Sequence, residues 1–282
     1  MEKNILLTIA YDGSGFSGWQ RQPDRLTVQG LLEKTLSGLF RKEITLNGTS
    51  RTDAGVHALG QRASFKADIG IPADRIPRVV NNALCGREKG SFAISPVRIT
   101  SAEEMPADFH ARFDCKGKKY VYRIANTETV DIFKRNYVYH VDRPLDVESM
   151  RYAAESLKGT HDFKSFESSG GNPRETTVRT IFDIGVSCRR PDGDISEKPH
   201  EMPDEMPHEM PQEIEISVAG DGFLYNMVRI ITGTLVDIGQ GKTAPGDIKD
   251  IIEAKDRTAA GHTAPPYGLY LAEVYYEDIE RR

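Results

Sequence analysis

Cysteine is nearly absent from this sequence: Cys85, Cys115 and Cys188 are the only three in 282 residues. They are odd in number, lie far apart and form no Cys-x-x-Cys pair, so neither a disulfide framework nor a thiolate zinc site is supported. No stretch approaches the ~20 consecutive apolar residues that a membrane span needs. The opening Met1-Glu2-Lys3-Asn4-Ile5-Leu6 has no long apolar segment followed by a small-residue cleavage site. A signal peptide is therefore not expected, and the cytoplasm is the expected compartment. Disorder is excluded by what is present. The chain is 38% hydrophobic and 28% charged, enough apolar surface to offset the entropy of ordering, and its length suits one large domain or two modest ones. Nor is there a broad excess of one charge, with 37 Lys and Arg against 42 Asp and Glu. The acidic surplus is local. Residues 192–215 hold nine acidic residues and one basic residue, Lys198, and the remainder carries 36 basic and 33 acidic residues. That mildly basic remainder leaves room for a positive groove.

Several catalytic signatures are also missing. Gly241-Lys242-Thr243 looks like the tail of a phosphate-binding loop, but position 236 is Val236 where the pattern needs glycine, and a helix precedes it where a strand is required. No Gly-x-Ser-x-Gly elbow exists, so a serine hydrolase has little support. His200-Glu201 and His208-Glu209 begin like a zinc-protease helix, yet Asp204 and Gln212 occupy the second histidine positions. The glycines of Asp12-Gly13-Ser14-Gly15-Phe16-Ser17-Gly18-Trp19 do not match a dinucleotide fingerprint and read as a tight strand-to-helix connection.

The low-complexity segment is a threefold Glu-Met-Pro-x run over 201–212. Proline at every fourth position forbids a regular helix or a central strand. The run lies between strand-like stretches at 178–188 and 214–218, so it reads as an exposed insertion, over about 190–213, at the tip of a hairpin. Its His200, Met202, Met206, His208 and Met210 suit a soft metal ion; a solvated loop is the plainer reading. Elsewhere strands and helices alternate. Strands are expected at 5–10, 44–46, 63–65, 92–99, 120–125 and 269–275. Helices are expected at 28–40 with Thr27 as cap, 75–84, 147–157 with Asp146 as cap and Gly159 beyond its end, 224–238, and 248–254. Helices are too few and strands too irregularly spaced for a doubly wound parallel sheet. The pattern predicts an α+β fold, a mixed and mostly antiparallel sheet with helices on one face. Two similar halves are expected: residues 1–113, and residues 114–282 carrying the insertion.

One polar segment between apolar strands stands out: Gly48-Thr49-Ser50-Arg51-Thr52-Asp53-Ala54-Gly55-Val56-His57-Ala58. Loops held this way often carry function. Arg51, Asp53 and His57 either point into one cleft or form a surface turn in which Asp53 caps its own backbone. Arg51 to Ala58 resembles the catalytic motif of the tRNA pseudouridine synthase A family. The resemblance extends along the chain. Tyr11-Asp12-Gly13, Gly18-Trp19-Gln20-Arg21-Gln22 and Thr27-Val28-Gln29 are similar to the family's opening. Asp108-Phe109-His110-Ala111-Arg112-Phe113 and Lys119-Tyr120-Val121-Tyr122-Arg123-Ile124 are similar to its middle. Asp162-Phe163-Lys164-Ser165-Phe166, Met227-Val228-Arg229 with Gly233, Ala254-Lys255-Asp256-Arg257-Thr258 and Gly268-Leu269-Tyr270-Leu271 follow in order. Two departures are Ser50, where the family often has glycine, and the Glu-Met-Pro insertion.

The resemblance implies the pseudouridine synthase fold and isomerisation of uridine to pseudouridine at positions 38–40 of the tRNA anticodon arm. Uracil leaves C1′ of the ribose, turns and rejoins through C5. No atoms are added and no redox change occurs, so neither cofactor nor metal is implied. Asp53 is the implied nucleophile, attacking C6 of the uracil or assisting its departure from C1′; the sequence leaves both routes open. Arg229 is implied as the cation that counters the desolvation of an ionised carboxylate, with a helix-surface arginine as the plain alternative. Tyr120 would lie on the uracil ring and can take a proton, the alternative being a sheet-core tyrosine, and Leu269 would line the pocket. The target base must leave its stack, and Arg51 would fill the vacated space. RNA-backbone contacts are expected from Arg21, His57, His110, Arg112, Lys118, Lys119 and Arg257. A homodimer with one tRNA across both subunits is implied. The rival expectations are a non-catalytic RNA-binding or chaperone protein of the same fold and, more remotely, a metal-handling protein acting through the Met/His insertion. Nine acidic residues repel RNA, so the insertion is expected to point away from the tRNA groove. Deleting residues 197–213 should leave tRNA affinity nearly unchanged in a filter-binding titration; a large change in either direction refutes that placement.

Overall fold

The computed structural model describes residues 2–85, 94–171, 175–189, 195–196 and 213–277. In chain order its elements are β1 (Lys3–Tyr11), α1 (Val28–Phe40), β2 (Asn47–Gly48), β3 (His57–Ala67), α2 (Ile76–Leu84), β4 (Val97–Met105), β5 (Gly117–Asn126), β6 (Tyr139–Val141), α3 (Val147–Glu155), β7 (Gly159–Asp162), β8 (Val178–Arg189), β9 (Ile195–Ser196), β10 (Glu213–Gly220), α4 (Met227–Gly239), α5 (Ile248–Ala254) and β11 (Leu269–Tyr275). The fold is a mixed, mostly antiparallel α+β arrangement, as the sequence pattern predicts. The chain divides into two compact units, residues 1–116 with 270–282, and residues 117–269. The boundary therefore falls three residues beyond the expected one, and the last strand returns to the first unit.

In the first unit the strand order is β4-β1-β3-β11, with β2 on β3. Strand β1 is antiparallel to both neighbours, placing Ile5 opposite Phe65 and Glu104. Strand β11 runs parallel to β3 and sets Tyr270 beside His57. Helix α1 starts where Thr27 accepts a hydrogen bond from Gly30 N (3.3 Å) and buries Val28, Leu32 and Leu36.

Three expected strands differ from those observed, each for a physical reason. Residues 44–46 form no strand. Ile44 N donates to Ser37 Oγ (3.0 Å), Leu46 N to Glu33 Oε1 (2.9 Å), and Leu46 O accepts from Gln29 Nε2 (3.0 Å), so side chains of α1 satisfy this backbone instead of a ladder. Strand β3 is eleven residues long rather than three; the polar Gln61 and Ser64, buried on opposite faces, hide the apolar alternation that marks a strand in the sequence. Strand β4 runs on to Met105. It is an edge, and its Glu103 and Glu104 pair with Arg62 and Lys3, the charged character that edges require. Phe92 and Ala93 of that expectation lie outside the described residues.

In the second unit the order is β5-β10-β8-β7, with β6 parallel to β5 and β9 on β8. Strands β8 and β10 pair antiparallel from Arg189 with Glu213 to Ile181 with Gly220. They are the arms of the expected hairpin, while most of the insertion between them lies outside the described residues. Helix α3 is capped by Asp146, which accepts from Ser149 N (3.1 Å), and packs on α4. Helix α4 begins at Met227, later than expected, because Asn226 takes a left-handed conformation (φ 61°). It is buried almost all round, the mark of a helix enclosed by its own unit. Among the described residues no helix is long and apolar enough to cross a membrane.

At Gly233 of α4 a Cβ would fall 1.8 Å from the carbonyl oxygen of His262. A backbone oxygen cannot swing aside as a side chain does. Gly233→Ala should therefore cost at least about 1–3 kcal/mol, a loss of roughly 2–4 °C in Tm per kcal/mol for a chain of this size. Calorimetry of the purified variant checks this; an unchanged Tm would mean that the segment at His262 yields freely.

Candidate active site

The segment 49–57 joins two strands and forms little regular structure of its own, so its backbone groups need partners elsewhere. Gln61, fully buried on β3, brackets Ser50: its Nε2 donates to Ser50 O (2.7 Å) and its Oε1 accepts from Ser50 N (3.2 Å). Ser50, where the family often has glycine, is thus accommodated as a buried small residue. Trp19 N donates to Thr52 O (3.0 Å) and Tyr11 OH meets Thr52 Oγ1 (2.6 Å). Val56 N closes a turn onto Asp53 O (3.1 Å) around Gly55 (φ 80°).

The glycine-rich connection 12–18 lies directly against this turn. A Cβ on Gly13 would sit 2.1 Å from Val56 O, and one on Gly18 (φ 88°) 2.6 Å from Thr52 O. Both positions need glycine because backbone meets backbone. The result is a loop with Thr49, Ser50, Thr52, Val56 and His57 buried, Asp53 half-buried and Arg51 exposed. A free surface turn would not bury its flanks in this way.

His57 is 2% exposed. Its Nδ1 accepts from Gly13 N (3.1 Å), which requires the neutral ring to carry its proton on Nε2. Asp12 Oδ1 lies 3.3 Å from the same nitrogen but also accepts from Ser14 N and Ser14 Oγ. The ring stacks on Tyr270 at 4.7 Å. His57 was expected among the RNA contacts. Enclosed like this it has no surface to offer a phosphate, and it acts by tying the glycine connection to β3. Arg21 is exposed and paired with buried Glu33 (3.2 Å). His110 and Arg112 share one turn in the same unit, half-buried and exposed respectively.

In the second unit Tyr120, 8% exposed, stands on β5 opposite Val218 and meets Phe223 edge-on at 5.1 Å. Lys118 and Lys119 precede it, half-buried. Arg229 is half-buried on α4. Its Nε donates to Ala264 O (2.7 Å) and its Nη1 to Asn226 Oδ1 (2.7 Å), and Ala264 N donates back to Arg229 O (3.1 Å). A guanidinium held at two nitrogens has little rotamer freedom left. Arg257 bonds Ala260 O and Thr263 Oγ1, and Leu269, 6% exposed, opens β11. Tyr122 OH donates to Pro265 O (2.7 Å), and a Cβ on Gly268 would clash with that ring at 2.7 Å. The run from Ala264 to Leu269 is thus fixed by Arg229 and Tyr122 together. Burial pushes the Tyr122 hydroxyl well above its usual pKa, with the Arg229 charge opposing, so it stays a proton donor at neutral pH.

Sequence reasoning missed Gln61 and Asn226; Gly13, Gly18 and Tyr122 stand in the motifs that carry the resemblance, but no role was assigned to them. Asn226 carried no readable signal.

A family model described as tRNA pseudouridine synthase matches residues 7–114 and 153–277. The chain belongs to the tRNA pseudouridine synthase family. It is 43% identical over 278 residues to the tRNA pseudouridine synthase A 2 of Clostridium tetani, covering 98% of this chain and 100% of that one. It is 43% identical over 274 residues to the tRNA pseudouridine synthase A of Acetivibrio thermocellus, covering 97% and 100%, and 42% identical over 274 residues to that of Ruminiclostridium cellulolyticum, with the same coverage. It is accordingly an isomerase that converts uridine to pseudouridine.

Gly13→Ala perturbs the Asp53 loop through the Val56 contact. It forces Val56 away from its place, at a cost in stability of about 1–3 kcal/mol. Displacement of reacting groups by about 1 Å can cost 10²-fold in rate. Single-turnover pseudouridine formation should fall by that order while the variant remains folded by circular dichroism. Wild-type turnover in a folded Gly13→Ala protein would show that this contact does not position the loop.

Proposed function

We propose that this enzyme isomerises uridine at positions 38–40 of the tRNA anticodon arm, with Asp53 as the nucleophile. The observation that carries the reading is the Asp53 loop: a half-buried carboxylate on a turn whose neighbours are tied on both sides to β3 and to the glycine connection. A nucleophile needs such fixed placement, because orientation supplies much of the rate in covalent catalysis.

In the proposed reaction the Asp53 carboxylate attacks either C1′ of the ribose or C6 of the uracil. The bond from N1 to C1′ breaks, the detached uracil turns, and C5 bonds to C1′. On the C1′ route Asp53 leaves as C5 bonds to C1′, and on the C6 route it is eliminated from C6 afterwards; the C5 proton is lost and N1 gains one, so the atoms balance without any co-reactant. Tyr120 presents the aromatic face for the flipped base; stacking of this kind is worth roughly 1–3 kcal/mol per base. Leu269 supplies apolar wall and Arg229 the cation that favours an ionised carboxylate. Arg51, the exposed member of the loop, occupies the space the base leaves, offsetting part of the few kcal/mol that flipping costs. Arg21, His110, Arg112, Lys118, Lys119 and Arg257 serve the tRNA backbone, since RNA helices are read by shape and phosphates. His57 is assigned to holding the loop. The same resemblance supports a cytoplasmic homodimer.

The test uses an unmodified tRNA transcript with uridines at 38–40, without added cofactor, and maps pseudouridine by carbodiimide-directed primer extension. Wild type should give stops at those positions. Asp53→Ala should give none yet bind the transcript with similar affinity. Binding without stops for both proteins would replace this reading with the non-catalytic one.

A further inference from the structure

The turn 106–114 of the first unit holds an aromatic side chain out into solvent. Phe113 is 76% exposed. Single exposed apolar residues are ordinary, but three features set this one apart.

The first is the rigidity of its base. Ala111 is fully buried; its N donates to Ser64 Oγ (3.2 Å), and its carbonyl accepts from Thr49 Oγ1 (2.9 Å) and Tyr276 OH (3.0 Å). Asn4 Nδ2 donates to Pro106 O and Phe109 O, both at 2.8 Å. The second feature is a closed set of bonds within the turn. His110 N donates to Asp114 Oδ2 (2.7 Å), while Phe113 N and Asp114 N both donate to His110 O (3.1 Å). His110 Nδ1 accepts from Arg112 N (3.1 Å). The third is chemistry. The His110 ring lies 4.3 Å from the Phe113 ring at 34°, and the Arg112 guanidinium sits 5.9 Å from its centroid. Imidazole, benzene ring and guanidinium form one polarised cluster, and most of the Phe113 surface stays open.

We infer that Phe113 is a stacking platform for an unpaired nucleotide of the tRNA substrate, with Arg112 beside it for that nucleotide's phosphate. This rests on the reading of the chain as a tRNA-modifying enzyme. An unstacked base finds a ring that is 76% exposed with a cation beside it, the combination single-stranded RNA sites use. A Leu or Ile at 113 would give apolar area without that face.

The test measures affinity for unmodified tRNA by filter binding, with sedimentation and Tm, for wild type, Phe113→Ala, Phe113→Leu and Phe113→Trp. Phe113→Ala and Phe113→Leu should each bind roughly 5- to 150-fold more weakly, at unchanged Tm and unchanged oligomeric state. Phe113→Trp should keep wild-type affinity, and the emission of the introduced indole should be quenched by tRNA, against the background of Trp19, which is 2% exposed. Full affinity in Phe113→Ala or Phe113→Leu overturns the inference. So does a loss of affinity that accompanies a change in sedimentation, which would assign the ring to an interface between copies of this chain. Wild-type pseudouridine formation is scored in parallel. Its absence refutes the catalytic reading, whereas its presence with unaltered affinity in Phe113→Ala refutes only the platform.

Discussion

Backbone-to-backbone contact between the glycine connection and the Asp53 loop is the constraint on which the first unit depends. Gly13 and Gly18 approach Val56 O and Thr52 O more closely than any side chain allows. Trp19, Tyr11 and His57 then fasten the two segments with hydrogen bonds. Neither segment is a helix or a long strand, so each supplies the partners that regular structure would otherwise provide. The consequence is a short loop whose backbone is tied at Ser50 and Thr52 on one side of Asp53 and at Val56 on the other. Fixed positioning of this sort is what a covalent mechanism requires, since rigid supports hold reacting groups better than loops left to themselves.

The second unit meets a similar demand in another way. Helix α4 carries glycine at the point where residues 261–262 cross it, and a left-handed Asn226 just before it. Asn226 and Ala264 then share the Arg229 guanidinium. A planar fork with donors at fixed angles orders both partners at once, which a lysine in that place would not do. Tyr122 completes the arrangement by holding Pro265. Asp237 adds a further tie. Burial alone would raise its carboxyl pKa, but hydrogen bonds from His262 and Lys242 outweigh that and hold it below the usual range.

The chemistry is consistent with this economy. An isomerisation that moves one glycosidic bond from nitrogen to carbon needs a nucleophile, a surface for a loose base and control of charge. Side chains provide all three. The energetic burden lies elsewhere, in extracting a base from its stack and in binding a polyanion, the work proposed above for exposed Arg51, Arg112 and Phe113. A chain with a net charge of −5 can serve such a partner because its acidic surplus is local: outside residues 192–215 it carries 36 basic and 33 acidic residues.

Much of this was legible before any coordinates. Periodicity and caps placed α1, α3, α5 and β11 within about a turn, because local propensity and burial agree there. Collinear motifs pointed to the family, which the comparisons show, and it is from them that the roles of Asp53, Tyr120 and Arg229 are proposed. Other features were decided only by tertiary structure. Residues 44–46 look like a strand and are not, since helix side chains satisfy their backbone. Strand β3 hides behind buried Gln61, which bonds Ser50 of the loop, and Ser64, which accepts from Ala111 N of the turn 106–114. His57 reads as a surface contact and is enclosed, because its ring nitrogen is needed by Gly13. Phe113 is exposed, because Ala111 fills the inward position of its turn. In each case the deciding partner is distant in sequence or turns a side chain against its usual preference, and neither composition nor spacing encodes that.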